Sequence, residues 1–556
     1  MKTRVAFVLC ALFFATAAAP APATFDVLIR GGTIYDGSGG APYVGDVALK
    51  GDRIAFVGHH APGRAARIID ASGKAVSPGF INMLSWATES LIADGRGLSD
   101  VDQGVTLEVF GEGDSMGPLT PQMKKLALQR QGDIKYPVQW VTLAQYLDWL
   151  TRRGISPNVA SFVGATTVRV HELGEKDVQP TAAQLDRMRA LVRQAMKDGA
   201  LGVGSALIYA PATYAKTPEL TALATEAAKC GGMYISHMRS EGNKVLEATD
   251  ELIRISRDSG APAEIYHFKQ AGRSNWSKID PMIAKVDAAR AAGQRITANM
   301  YTYTAGATGL DAAMPTWVQS GGLEAWIARM KNPAVRAKVI EEMKTLSDQW
   351  ENLLLLSGGP QNVLLVSFKN PKLKPLTGKT LAEVAKMRGK SPEETAIELV
   401  SEDDSRVGTI YFLMSDDNVK REVGLPWMSF GSDEGAPAPE GVFLKSRSHP
   451  RAYGNVARLL GHYVRNEHAA TLPDAIRRLT SLPATNLALK GRGLLKAGYY
   501  GDVVVFDPAT IQDHATYEKP DRLATGVEDV FVNGRQVLKG GKHTGAKPGR
   551  VVHGPG

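Results

Sequence analysis

Two histidines, His237 in Met233-Tyr-Ile-Ser-His-Met-Arg239 and His267 in Glu264-Ile-Tyr-His-Phe-Lys-Gln270, each close a short apolar run of strand-like residues. Imidazoles at the ends of neighbouring buried strands are how a parallel α/β fold aims ligands at one metal above its carboxyl-terminal face. A single histidine in such a place is more often a satisfied core or capping residue. The pair is more informative, because Lys244 to Ser256 between them places apolar residues at 245, 246, 252, 253 and 255, with Gly260 beyond. That spacing predicts an amphipathic helix, so the unit reads strand, helix, strand with a histidine at each strand's end.

Two further groups suit metal-assisted hydrolysis. Asp433 in Gly431-Ser-Asp433 is a carboxylate of the type that moves protons in hydrolysis, although the same residue in Ser-Asp-Glu-Gly also suits a turn or helix cap. Lys269 and Arg239 each lie two positions beyond a histidine. A basic pair flanking a metal suits an acidic substrate, and a surface cation is the plain alternative for each.

The elements that must position these residues alternate along the chain. Asn158 to Gly164, Thr181 to Asp198 and Leu201 to Ser205 read as strand, helix and strand, the pattern of a parallel α/β fold. Short strands and tight turns fill residues 24–77 and return in 487–556, so the two ends are expected to pair into one β-sandwich domain. The middle, 78–486, is expected to be a (β/α)8 barrel, with an insertion at about 309–355 that lacks clear strands.

The chain of 556 residues carries a formal net charge of +8, spread as mixed-sign surface rather than gathered in one run. Nucleic acid is therefore not an expected partner. Lys2 and Arg4 precede the apolar stretch Val5 to Ala15, and small residues follow to Ala21-Pro-Ala23. That is the layout of a secretory signal peptide, residues 1–23, and places the mature chain in the periplasm or outside a bacterium with no integral membrane segment. Cys10 falls within the leader and leaves Cys230 alone, so any metal must be held by nitrogen and oxygen. The sequence sets no oligomeric state.

Val76-Ser-Pro-Gly-Phe-Ile81, Ser236-His-Met-Arg239, Tyr266-His-Phe-Lys269, Gly431-Ser-Asp433, His449-Pro-Arg-Ala-Tyr-Gly454 and Leu482-Pro-Ala-Thr-Asn486 together resemble the amidohydrolase superfamily, and within it the D-aminoacylases, or N-acyl-D-amino-acid deacylases. The resemblance implies a metal-dependent amide hydrolase on a distorted (β/α)8 barrel with a β-sandwich, acting on small acylated amino acids. It implies His237 and His267 as ligands of one Zn2+, Asp433 as the catalytic carboxylate, and Lys269, Tyr209, Tyr301 and Arg451 as contacts of the substrate carboxylate.

The departures from the family pattern bear on the metal. The first strand usually continues Pro-Gly-Phe-Ile-Asp-x-His-x-His, whereas this chain reads Pro78-Gly-Phe-Ile-Asn-Met-Leu-Ser-Trp86, with Leu84 and Trp86 in place of the two histidines and Asn82 in place of the aspartate. Leucine and indole do not ligate zinc, so one metal rather than two is expected. The family's cysteine after the second strand is also missing from Gly104 to Asp114; Glu112 is the nearest replacement, with Glu108 and Asp114 as competitors. Rival readings are another amidohydrolase activity, such as a dipeptidase, cyclic imide hydrolase or lactonase, or a metal-free binding protein descended from a hydrolase.

Overall fold

The computed structural model describes residues 23–556; residues 1–22, which hold nearly all of the expected leader, lie outside the described residues. Among the described residues no helix is long and apolar enough to cross a membrane.

The site rests on parallel strands in two sheets. One joins Phe80–Asn82, Val105–Phe110 and Asn158–Ser161. The other runs, in spatial order, Met428–Phe430, Ile296–Met300, Ala263–Ile265, Met233–His237, Gly202–Ala206, Val163–Gly164. Their edges are stitched at both seams: Leu201 N donates to Ser161 O at 3.0 Å and Met83 N to Phe430 O at 3.0 Å, while Ser85 bridges Glu434 in parallel register. These strands are buried throughout, as parallel strands covered by helices must be.

Local sequence explains the helices between them. Thr142 with Gln145 and Thr181 with Gln184 form reciprocal capping boxes that start Leu143–Arg153 and Ala182–Lys197. Val245–Ser259 buries Val245, Ala248, Thr249, Leu252, Ile255 and Ser256, one stripe at helical spacing, and stops at Gly260, whose φ of 75° is the left-handed ending that glycine adopts without strain.

Strands from both chain ends share a nine-stranded sheet, in which Ala75–Pro78 pairs antiparallel with Val503–Phe506. The hairpin Val527–Val532 to Arg535–Lys539 turns at Asn533-Gly534, both with positive φ, the conformation that matches the twist of the flanking strands. The insertion differs from the sequence expectation of 309–355. Strands Ala305–Gly309, Val363–Ser367 and Gly408–Phe412 pair only with one another, and the segment encloses its own core, including Leu310, Trp326, Val339, Leu354, Leu381 and Val400. The unit therefore extends to Phe412. Its later strands carry the same apolar runs as the parallel ones, so their sequence does not say which sheet they join.

Asp102, just past the short helix Leu98–Val101, is buried with its Oδ2 unpartnered, and burial pushes its carboxyl up to about 7. Between its ordinary value of 3.8 and that value the folded chain holds a proton that the unfolded chain has released. Stability contributed by this group is therefore lost as pH rises through that window. Asp102→Asn removes the penalty, so its stabilising effect should be larger at pH 8 than at pH 5 by roughly 2–3 kcal/mol. Thermal unfolding at the two pH values checks this; a shift independent of pH would refute the ionisation account.

Candidate metal centre

Each functional side chain lies at the carboxyl end of a parallel strand. Glu112 follows Val105–Phe110, His237 is the last residue of Met233–His237, His267 follows Ala263–Ile265, and Asp433 follows Met428–Phe430. Glu112 Oε1 lies 3.1 Å from His237 Nδ1 and 2.8 Å from His267 Nε2, and each of the three residues offers a ligand atom within 4.8 Å of the others. Zinc bonds of ~2.0–2.1 Å make tetrahedral edges of ~3.3 Å, so the two Glu112 contacts fit one ion with only slight expansion. His237 Nε2 is also buried without a hydrogen-bond partner. The donor set, two imidazoles and a carboxylate, is one that zinc accepts.

Of the competitors for the third place, Glu108 points into packing, where its Oε2 accepts from Asn82 Nδ2 at 3.0 Å, and Asp114 is exposed. Glu112 is held far below the usual carboxylate range: burial alone would raise it, but the two imidazoles outweigh burial.

A second carboxylate, Glu241, was missed in the sequence. It lies four residues after His237, the Ser-His-Met-Arg-Ser-Glu spacing being the signal that could have found it. Its Oε1 is 2.8 Å from His267 Nδ1 and 2.7 Å from the Lys269 ammonium, which itself stands 2.7 Å from His267 Nδ1. Burial and Lys269 push the His267 ring down, yet Glu241 and Glu112 outweigh them and raise it to about 9. Glu241 thus orients the ring whose other nitrogen faces Glu112. Glu241→Gln is expected to weaken zinc binding ~10–100-fold, as loss of an outer partner of a ligand does. Competition against a chromophoric chelator measures it, and undiminished affinity would remove Glu241 from this role.

Lys269, expected at the substrate carboxylate, is buried beside the centre in contact with Glu241 and His267. Its Nζ lies 5.3 Å from the Tyr301 ring centroid, and the Arg451 guanidinium lies 4.3 Å from the same centroid. Arg451 is buried, pairs through Nη2 with Asp433 Oδ2 at 2.8 Å, and keeps Nε and Nη1 without partners. His449 sets this arginine: its Nδ1 accepts from Arg451 N at 3.0 Å and its Nε2 lies 3.0 Å from Ala305 O. Tyr209, half-buried, meets His237 edge-on at 5.1 Å.

Arg239 is the exception. Its donors are spent on Glu251, Thr213 O and Ala215 O, and it faces a cavity of about 500 Å³ shared with Lys244, Glu247 and Asp348. The strand ends at His237, so the alternation that would have returned Arg239 to the histidine's side stops there.

His267 and Asp433 hold φ values of 35° and 52°, a left-handed conformation rare outside glycine. Neighbours enforce it: His267 N donates to Asn299 Oδ1 at 2.9 Å and Asp433 N to Leu84 O at 2.8 Å. Strain kept in this way is frequent at functional positions, although Asn533 adopts the same conformation in a plain hairpin turn. Trp86 completes the centre, its Nε1–H reaching Glu112 Oε2 at 2.9 Å and Asp433 Oδ1 at 3.2 Å. Burial raises the Asp433 carboxyl against the pull of Arg451.

A His, His, Glu cluster with a nearby aspartate, set on the carboxyl ends of parallel strands, defines a metal-dependent hydrolase. Comparison with known proteins gives the family. Residues 134–538 match the amidohydrolase family, and the chain is 32% identical to the D-aminoacylase of Alcaligenes xylosoxydans xylosoxydans over 95% of its own length and 97% of the relative's. The chain belongs to the amidohydrolase family, in its D-aminoacylase branch.

Solved structures agree. An N-acyl-D-glutamate deacylase from Bordetella bronchiseptica, complexed with zinc and a phosphonate mimic of the tetrahedral intermediate, superposes with a TM-score of 0.80 at 29% identity, covering 96% of this chain and all (100%) of that one. A D-aminoacylase described as having a binuclear metal centre, with one-metal activation and second-metal attenuation, superposes with a TM-score of 0.79 at 31% identity, covering 95% and 100%.

Proposed function

We propose that this chain is a zinc amidohydrolase that uses one metal to remove the acyl group from N-acyl-D-amino acids. The observation that carries the reading is the convergence of Glu112, His237 and His267, with Glu112 within hydrogen-bond distance of both imidazoles and all three ligand atoms within 4.8 Å of one another, beside an aspartate that is not itself part of the set. The stitched seams of the two parallel sheets support a closed (β/α)8 barrel beneath it. The leader-like start of the sequence supports export to the periplasm or beyond.

Zinc held by Glu112, His237 and His267 supplies Lewis acidity toward an amide carbonyl. Everything else falls to the chain. Asp433 takes a proton from the attacking water and delivers it to the departing nitrogen. Arg451, paired with Asp433 through Nη2 but with Nε and Nη1 unspent and buried, offers fixed donors to the substrate's carboxylate, and two buried donors without a partner are a strong reason to expect an acceptor there. Tyr301 and Lys269 line the same side. Glu241 holds the His267 ring in its tautomer and orientation.

The test is a screen of acyl amino acids of both hands, dipeptides, cyclic imides and lactones, run with metal content determined on protein purified without chelator. Hydrolysis of N-acyl-D-amino acids with one zinc per chain is the expected result. A preference for another substrate class would move the chain to another amidohydrolase activity, and absence of metal and turnover would leave a binding protein.

A further inference from the structure

The segment just beyond the strand Phe80–Asn82 carries Leu84 and Trp86 where the family pattern places two histidines, and Trp86 turns its polar edge into the centre while 41% of the residue remains exposed. Its single N–H is shared between Glu112 Oε2 at 2.9 Å and Asp433 Oδ1 at 3.2 Å. The remaining oxygens are spoken for. Glu112 Oε1 faces the two imidazoles, and Asp433 Oδ2 pairs with Arg451 at 2.8 Å. The backbone fixes the indole in this place, since Trp86 N donates to Glu434 O at 2.8 Å and Ser85 N to Val109 O at 2.9 Å.

We infer that the Trp86 indole N–H stands in for a second cation: it holds Glu112 and Asp433 at their working separation and limits the centre to one metal. The inference rests on the proposed reading of the site as a zinc hydrolase. Two carboxylates brought together with no cation between them repel, and a proton donor set between them satisfies both without adding a charge. A second divalent ion bridging them would need the same two oxygens, Oε2 and Oδ1, and further nitrogen or oxygen ligands. Leu84 supplies none, and the indole carbon frame fills that volume. Trp86 is thus a positioning residue acting through Asp433 and Glu112. Unlike the related D-aminoacylase described with second-metal attenuation, this enzyme should be insensitive to excess zinc.

The experiment equilibrates wild type, Trp86→Phe and Trp86→His with excess zinc, desalts them, and determines zinc per chain by elemental analysis; circular dichroism confirms folding, and turnover is followed across the same zinc titration. Wild type should hold one zinc and lose no activity as zinc rises. Trp86→His, which restores an imidazole at the vacated place, should hold a second zinc and be attenuated by it. Trp86→Phe should lose activity on the order of 10-fold at one equivalent, as expected when a carboxylate's hydrogen-bond partner is removed. Two zinc ions in wild type, or variants that titrate like wild type, would overturn the inference. One zinc in wild type and two in Trp86→His, without hydrolysis of N-acyl-D-amino acids, would uphold it and overturn the substrate reading instead. Wild type without zinc would overturn both.

Discussion

Asp433→Asn is expected to lower kcat by ~10²–10⁴-fold, the usual contribution of a positioned acid–base group, while zinc content stays unchanged. The carboxylate is outside the metal set, so its loss leaves Glu112, His237 and His267 untouched. Its two oxygens take hydrogen bonds from Trp86 Nε1 and Arg451 Nη2. Asparagine keeps the shape but not the basicity, and its single carbonyl oxygen is drawn to the charged Arg451. The amide nitrogen is then left facing the indole N–H, donor against donor, at the point where a proton must be taken up. Steady-state kinetics with elemental analysis of the same preparation decides the matter. Turnover near the wild-type rate would exclude Asp433 from proton transfer, and loss of zinc would make it a ligand instead.

What was legible in the sequence follows from what a strand end does. The two histidines, the helix between them and the Gly260 stop could be read because period and punctuation are local properties: the structure ends one strand on His237, sets His267 two residues beyond Ala263–Ile265, and runs the helix from Val245 to Ser259 before Gly260. Glu112 was readable for a different reason: with no cysteine available, few oxygen donors follow the second strand, and Glu108 is turned inward by alternation. Arg239 was misread because that alternation was carried past the last strand residue. Glu241 was missed because its partner, Lys269, lies on the next strand's loop, and a salt bridge between loops leaves no period in either one. The role of Trp86 needed the distance between two carboxylates from elements far apart in sequence, which only the fold supplies.

Charge bookkeeping makes Glu112 the residue whose loss should cost the centre its metal. Glu241 is paired with Lys269 and Asp433 with Arg451, so each of those carboxylates is already offset by a permanent cation. Among the described residues no lysine or arginine pairs with Glu112, whose partners are the two imidazoles and the indole. It alone brings uncompensated negative charge to a divalent ion. Glu112→Ala leaves two neutral rings among neutralised pairs, so zinc affinity should fall by more than the ~10–100-fold typical of losing an outer partner, and hydrolysis should fall with it. Glu112→Cys should hold zinc, because a thiolate is anionic and bonds zinc at ~2.3 Å. Zinc per chain after dialysis, with turnover, distinguishes the two variants. Zinc retained by Glu112→Ala would shift the third ligand to Glu241, whose Oε2 stands 3.6 Å from His237 Nε2, or to the exposed Asp114.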